Sequence, residues 1–526
     1  MLSPETETRQ MQTQGQTANY SLNGPLLQYL LTFLFALVLY TATCAPTVLW
    51  QDSGLFVYRI LHNDLQGNLG IALAHPLYII IGIVARLIPF GELAWRINMI
   101  SAVFAAAAVA NLFLLLRLWL GKVWPAIIGS VSLAVSWTFW QNAVVAEVYT
   151  LYAAQLFTEL LVLFQYVRTK RTGYLYLLGF LNGLAIANHL WGVFPLACYG
   201  VYLLLLLARK QVNLKSFLLF IIFWIVGASP YEYLVVKNVF STGEVLTTVK
   251  SAVFGSDWEN RVLNLNISVR LVIENMVFIV LNFPTPSFLL FIPGVLVLYR
   301  KSPSRAFANI SLAMTLLFFI FAFRYTVADR HEFFLPFYCM AAVFIALGAD
   351  WLLTRYGGRK LVFLILAFFL FCLALLPVGS YFVTPEIARK YYKPLGERRQ
   401  RPYRDEYTYW LVPWKCGYNG AERFATEALE GVEKNAVVYA YTTDVHSMLY
   451  VQEVKGIRPD VRIVSDHDHS ANAPTLSEGS VADILAAGPL YVTSARRGYY
   501  PSFLNDNYQF VRHGLLYRVV ESGRNL

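Results

Sequence analysis

Apolar stretches close to bilayer-spanning length recur along most of this chain, and that recurrence restricts the fold more than any motif does. Hydrocarbon offers no water to backbone N–H and C=O groups, so a lipid-exposed segment crosses as a helix or within a closed barrel. Runs near 20 residues fit the helix. The first occupies Leu26–Tyr40, and others cover roughly 96–116, 123–139, 150–167, 173–188, 191–208, 216–235, 270–299, 306–326, 333–353 and 361–382. The 526 residues are 57% hydrophobic and 14% charged, where a soluble domain carries roughly a quarter charged residues. The sequence therefore predicts a mainly α polytopic membrane protein with about eleven transmembrane helices over residues 25–383. His75–Pro89, about fourteen apolar residues, reads as a re-entrant or interfacial helix. Residues 1–24, polar and rich in Gln and Thr, read as a disordered cytoplasmic tail, and the run after them lacks a signal-peptide cleavage pattern.

The distribution of Lys and Arg orients these spans, because cytoplasmic loops collect basic residues. If His75–Pro89 does not cross, five connections share one side. They hold Arg117 and Lys122; Arg168, Lys170 and Arg171; Arg209, Lys210 and Lys215; Arg300, Lys301 and Arg305; and Arg355, Arg359 and Lys360, with no acid among these stretches. Counting the short run as a span would put all fourteen on the wrong face. The expected topology has a cytoplasmic N-terminus and an extracytoplasmic C-terminus.

Polar side chains able to do chemistry then gather at the exoplasmic ends. Asp52, in PTVLWQDSG, follows the first span, beside Trp50 and ahead of Arg59. An acid at a membrane exit is a candidate site residue, since charge near hydrocarbon is costly; a helix cap, with Trp50 as an interfacial anchor, is the structural alternative. Glu147, in WQNAVVAEVY, either complements a helix dipole or pairs with Asp52 as base and orienter, or as two ligands of a divalent cation. His75 and His189 sit at helix ends, where imidazoles cap or contact phosphate and sugar hydroxyls. Asp329 and Arg330, in VADRHE, open a late span; Arg330 either snorkels or clamps a phosphate. Glu159, inside a span, must face protein or water.

From about residue 384 to 526 the apolar runs shorten to strand length, predicting an extracytoplasmic α/β domain with strands at Ala436–Tyr441, Val461–Val464, Leu490–Thr493 and Leu515–Val520 and a helix from Asp444 to Val454. The run Asp466–His469 (DHDH) invites a metal reading, but successive side chains diverge in extended chain. Five cysteines show no pair spacing. The net charge of +10 sits in membrane-flanking loops, which argues against nucleic acid.

In order, PTVLWQDSG, AHPLY, SWTFWQNAVVAEVYTLYA and GLAIANHLWG resemble a family of GT-C superfold membrane glycosyltransferases, formerly catalogued as a domain of unknown function, whose vertebrate members are protein O-mannosyltransferases. NAVVYAYTTDVHSMLYVQEVKGIRPDVRIV resembles the extracytoplasmic domain of bacterial members. The resemblance implies a multi-pass protein of a bacterial inner membrane, a polyprenyl-phosphate-linked sugar donor, a catalytic aspartate at Asp52 and a second acid at Glu147. The acceptor (protein, lipid or glycan) and any divalent cation stay open. Chemistry at such a site then suggests Asp52 as base, Glu147 as orienter, and Arg330 with His75 or His189 at the leaving phosphate, with Trp50, Arg59 and Asp329 nearby. The sequence departs from the family pattern at Leu55 after Asp-Ser-Gly, at His75-Pro76-Leu77-Tyr78, at His189-Leu190 and at Tyr441-Thr442-Thr443-Asp444. The alternative is a non-catalytic transporter or a scaffold for lipid-linked glycans.

Overall fold

The computed structural model describes residues 23–255, 259–262, 264–327, 329–356, 358–393, 400–466 and 473–522. The predicted tail up to residue 22, and His467, Asp468 and His469 of the DHDH run, lie outside the described residues.

In chain order the membrane part contains α1 (Asn23–Thr43), α2 (Gln51–Leu61), α3 (Pro76–Ala85), α4 (Leu93–Leu120), α5 (Val123–Ala134), α6 (Trp137–Ala143), α7 (Tyr149–Thr169), α8 (Gly173–Asn188), α9 (Val193–Ala208), α10 (Leu214–Thr242), α11 (Val245–Phe254), α12 (Val269–Asn282), α13 (Phe291–Lys301), α14 (Arg305–Arg324), α15 (Leu335–Arg355) and α16 (Arg359–Tyr391). Side-chain caps set several starts. The Glu92 carboxylate accepts from Trp95 N at 2.9 Å, Asn213 Oδ1 from Ser216 N at 2.8 Å, and Ser304 Oγ from Phe307 N at 3.1 Å.

Eight helices among the described residues are long and apolar enough to cross a membrane, or ten if each of two bent pairs is one span. The α5–α6 pair bends by 68° and the α12–α13 pair by 109°. The second bend falls at Pro284 and Pro286, where missing N–H groups stop the helix, so the stretch read from sequence as one span over 270–299 is two helices. The stretch 173–188 forms α8, whose 16 residues make it shorter than a usual span. His75–Pro89 yields the short α3.

The helices meet through small residues. A Cβ at Gly348 of α15 would fall against the Leu290 carbonyl oxygen, and one at Gly294 of α13 against the Phe344 carbonyl oxygen. Such reciprocal backbone approach is how helices associate where lipid removes the hydrophobic drive.

The C-terminal part adds α17 (Glu406–Leu411), α18 (Gly420–Glu430), α19 (Thr442–Lys455) and α20 (Glu478–Ala487), with strands β1 (Val437–Tyr439), β2 (Arg462–Val464), β3 (Leu490–Val492), β4 (Tyr508–His513) and β5 (Leu516–Glu521). Their order is β2-β1-β3-β5-β4, parallel through β3 and antiparallel beyond it. Period-two alternation splits the sheet between two cores. Val438, Ile463 and Tyr491 join the large core shared with the membrane helices, whereas Val437, Tyr439, Val464 and Val492 pack with Val481 and Ile484 of α20.

The sheet's helices dock on the membrane part. On α19, Glu453 accepts from Tyr58 and meets His62 Nε2 at 2.7 Å, and Tyr450 bonds Glu92. Trp50 Nε1 donates to Tyr418 Oη at 2.7 Å, and Lys415 N donates to Thr43 O at 2.8 Å.

A Leu at Gly348 must displace backbone, so Gly348→Leu is expected to destabilise the fold by at least the ~1–3 kcal/mol typical of overpacking and thereby lower the melting temperature in detergent. Gly379→Ala, with open space around it, is expected to leave it unchanged. Equal melting of the two variants would contradict this packing.

Candidate active site

α2 begins where the chain turns back after α1. Asp52 lies in its first turn, where helix N-terminal charge favours a carboxylate, while the preceding Trp50 supplies no side-chain cap. Glu147 precedes α7 by two residues and is not in that helix's first turn, so it has no capping duty. Its backbone carbonyl instead accepts from Ser101 Oγ at 3.0 Å, and its N–H donates to the same oxygen at 3.1 Å. α2, the 141–149 segment, the 325–333 segment and the 409–415 loop together enclose a cavity of about 310 Å³.

Four carboxylates line it: Asp52, Glu147, Asp329 and Glu332. Asp52 has an exposed side chain that opens into the cavity, with protein around it. Desolvation by that protein, with the negative Asp329, raises its pKa to about 7. Glu147 is held well above the usual carboxylate range by burial and by the charges of Asp52 and Asp329. Leu55, one turn after Asp52, supplies an apolar wall. A carboxyl balanced near neutrality in an enclosed cavity can take a proton from a reactant and return it.

Cations share the same walls. Arg59 is buried, bonds Ala74 O at 2.8 Å and lies 3.7 Å from Asp64; burial lowers its pKa to about 10, which leaves it charged. Lys415 donates to the carbonyls of Tyr409 and Val412 at 2.8 and 2.6 Å, and burial beside Arg404 lowers its pKa to about 7. His75 occupies left-handed backbone, φ 50°, a conformation that costs ~1 kcal/mol or more outside glycine. Its Nδ1 lies 2.6 Å from Asn188 O and its ring stacks on His189 at 5.1 Å. Burial lowers its pKa to about 4, so the ring is neutral; Nδ1 carries the proton toward the carbonyl, and Nε2 is an acceptor.

The predicted residues Trp50, Asp52, Arg59, His75, Glu147 and Asp329 thus converge on one cavity. His189 lies behind His75, its Nδ1 accepting from Trp191 N at 3.1 Å, and does not line the cavity. Trp50 is fixed between the two parts of the fold, 5.4 Å from the Phe424 ring, rather than at a lipid interface. Arg330 points elsewhere: it pairs with Glu274, lies over Phe278 at 5.3 Å, and lines a neighbouring, mostly apolar cavity of about 640 Å³ with Arg270, Tyr391 and Tyr392. Val327 and Trp410 border both cavities. Glu332 and Lys415 carry no sequence signal that singles them out. Glu332 sits inside the quoted VADRHE run, and Lys415 is a lone basic residue far along the chain. Of the DHDH run, Asp466 accepts from Leu476 N at 3.2 Å.

Residues 71–215 match the model of the protein O-mannosyl-transferase TMEM260 N-terminal domain. That segment contains His75, Glu147 and His189, while Asp52 lies just before it. The mouse protein O-mannosyl-transferase TMEM260 is 26% identical over 229 residues, 42% of this chain, and the match spans 31% of the mouse protein. Among solved structures, ArnT from Cupriavidus metallidurans bound to undecaprenyl phosphate aligns with a TM-score of 0.61 at 14% identity, covering 93% of this chain and 97% of that one. Its apo form gives 0.62 at 12% identity, covering 95% and 98%. The fold is therefore GT-C-like, with a small C-terminal sheet.

If the cavity sets the Asp52 carboxyl as described, infrared spectra contain a protonated-carboxyl band that Asp52→Asn removes. That band is expected to be present at pH 6 and half lost near pH 7. Loss near pH 4 would mean Asp52 is an ordinary solvated acid.

Proposed function

We propose that this protein is an inverting membrane glycosyltransferase that moves a sugar from a polyprenyl-phosphate donor to an acceptor hydroxyl at the exoplasmic membrane face. The observation that carries the proposal is the cavity in which Asp52 shares walls with Glu147, Arg59 and Lys415. The name of the mouse relative and the lipid phosphate bound in the ArnT structure agree with it.

In this mechanism the acceptor oxygen attacks the anomeric carbon as the bond from that carbon to the phosphate oxygen breaks. Asp52 takes the hydroxyl proton, Glu147 orients the acceptor or Asp52, and polyprenyl phosphate leaves. Arg59 and the ammonium form of Lys415 meet the negative charge developing on that phosphate. His75, neutral with Nε2 as acceptor, suits a sugar hydroxyl better than a phosphate. The apolar cavity beside the site suits the prenyl chain, with Arg330 and Arg270 near its polar rim. Among the described residues no group of three His, Cys, Asp or Glu side chains is arranged to hold a metal ion.

The exoplasmic placement rests on charge. Lys122 and Lys301 meet Asp350 at 2.7 Å each, gathering three of the basic connections at the bundle end away from the carboxylates. The excess of basic residues at that end supports a cytoplasmic location for it, and with it an exoplasmic cavity in a membrane of bacterial inner-membrane type.

Incubated with a panel of polyprenyl-phosphate sugars and an acceptor extract, the purified protein is expected to release free polyprenyl phosphate from one of them. Its kcat/KM should follow a bell centred near pH 7, rising as Asp52 loses its proton to become the base and falling as Lys415 loses the proton that meets the leaving phosphate. Arg330→Gln is expected to raise donor KM several-fold with a smaller effect on kcat. No release from any donor by folded protein would shift the assignment to a binding or transport role.

A further inference from the structure

A different cavity lies at the opposite end of the bundle. α7 starts at Tyr149, which lines the carboxylate cavity, and ends beside Lys170. α9 starts just after Trp191, which stacks on Tyr149 at 5.1 Å, and ends at Arg209. α14 runs the other way, from Arg305 up to Tyr325 on the carboxylate cavity. Lys170, Arg209 and Arg305 therefore meet about one helix length, ~30 Å, from the carboxylates. Between α9 and α14 they flank a cavity of about 670 Å³. Its walls are mostly apolar, with Val201 and Leu205 on one side and Ile310, Ala313 and Leu317 on the other, and Gln211, Ser304 and Asn309 toward the basic end.

Three cations at one mouth repel one another unless something neutralises them. At the same bundle end Lys122 and Lys301 share Asp350. Lys170, Arg209 and Arg305 have no ion pair with any described residue, and the Lys170 ammonium lies 5.6 Å from the Tyr166 ring. Val201 is 60% exposed and Leu205 48%, on a wall with no protein cover. From Arg305 to Leu317 the wall extends twelve residues, ~18 Å along the helix, about one leaflet of a ~30 Å hydrocarbon core.

We propose that this cavity binds an anionic phospholipid, its phosphate held by Lys170, Arg209 and Arg305 and one acyl chain lying along Val201, Leu205, Ile310, Ala313 and Leu317. Basic pockets between transmembrane helices take anionic head groups, and arginine offers two parallel hydrogen bonds to a phosphate. A zwitterionic lipid brings its own cation to the cluster, and a free phosphate leaves the apolar wall uncovered. The site is separate from the donor site and does not depend on the activity proposed above.

The test uses full-length protein delipidated in detergent, then given dioleoylphosphatidylglycerol, dioleoylphosphatidylcholine or inorganic phosphate. Native mass spectrometry is expected to show retention of the glycerol lipid over the choline lipid. K170Q/R209Q/R305Q should reduce the retained fraction at least fivefold, and Ala313→Phe, which fills the wall without altering charge, should do the same. Cys198, half-buried on the same wall, provides a readout in unmutated protein. The glycerol lipid should slow its alkylation several-fold while exposed Cys416 is unaffected. Equal retention of both lipids, retention unchanged in the triple variant or in Ala313→Phe, or millimolar phosphate displacing the lipid would overturn the proposal.

Discussion

Carboxylates forced into a shared enclosure repel one another, and the structure is arranged around a place where four of them do so. Desolvation and like charge both disfavour ionisation, so protons stay on such groups to higher pH than in water. Here the effect brings Asp52 to about 7 and holds Glu147 well above the usual carboxylate range. The result depends on the protein packed around the cavity. Membrane helices supply the floor and walls; the chain after α16 supplies the rest through Tyr409, Trp410, Lys415 and Thr442.

That dependence gives the C-terminal part a physical role. α19 is pinned to α2 through Glu453, and the segment before α18 bonds Trp50 and the end of α1 through Tyr418 and Lys415, so the helix bearing Asp52 and the turn leading into it are both tied to the C-terminal part. The attachments are mostly hydrogen bonds from aromatic hydroxyls and indoles, groups that bury an apolar body and still need a polar partner.

Local patterns were legible in the sequence, and distant partnerships were not. Asp52, Glu147 and His75 stood out because each is a polar residue at the end of an apolar run, where hydrocarbon leaves few acceptable reasons for charge. Lys415 had no such frame: it lies among Trp, Tyr and Pro far along the chain, and only the docking of that loop carries it to the cavity. Arg330 was grouped with Asp329 because they are adjacent, yet neighbouring side chains diverge, and Glu274 draws the arginine into the next cavity. The span expected over 270–299 had the right hydropathy, but Pro284 and Pro286 broke it. The strand β4 was overlooked because its half-exposed residues, Tyr508–His513, lack an apolar run.

The central claim is that Asp52 serves as the proton acceptor in sugar transfer, and single-turnover kinetics with an authentic polyprenyl-phosphate sugar and its acceptor address it directly. Asp52→Asn keeps the size and polarity of the side chain while removing its basicity. Donor binding should persist while the transfer rate falls by ~10²–10⁴, the range that general base catalysis supplies. Transfer at the wild-type rate would contradict the account.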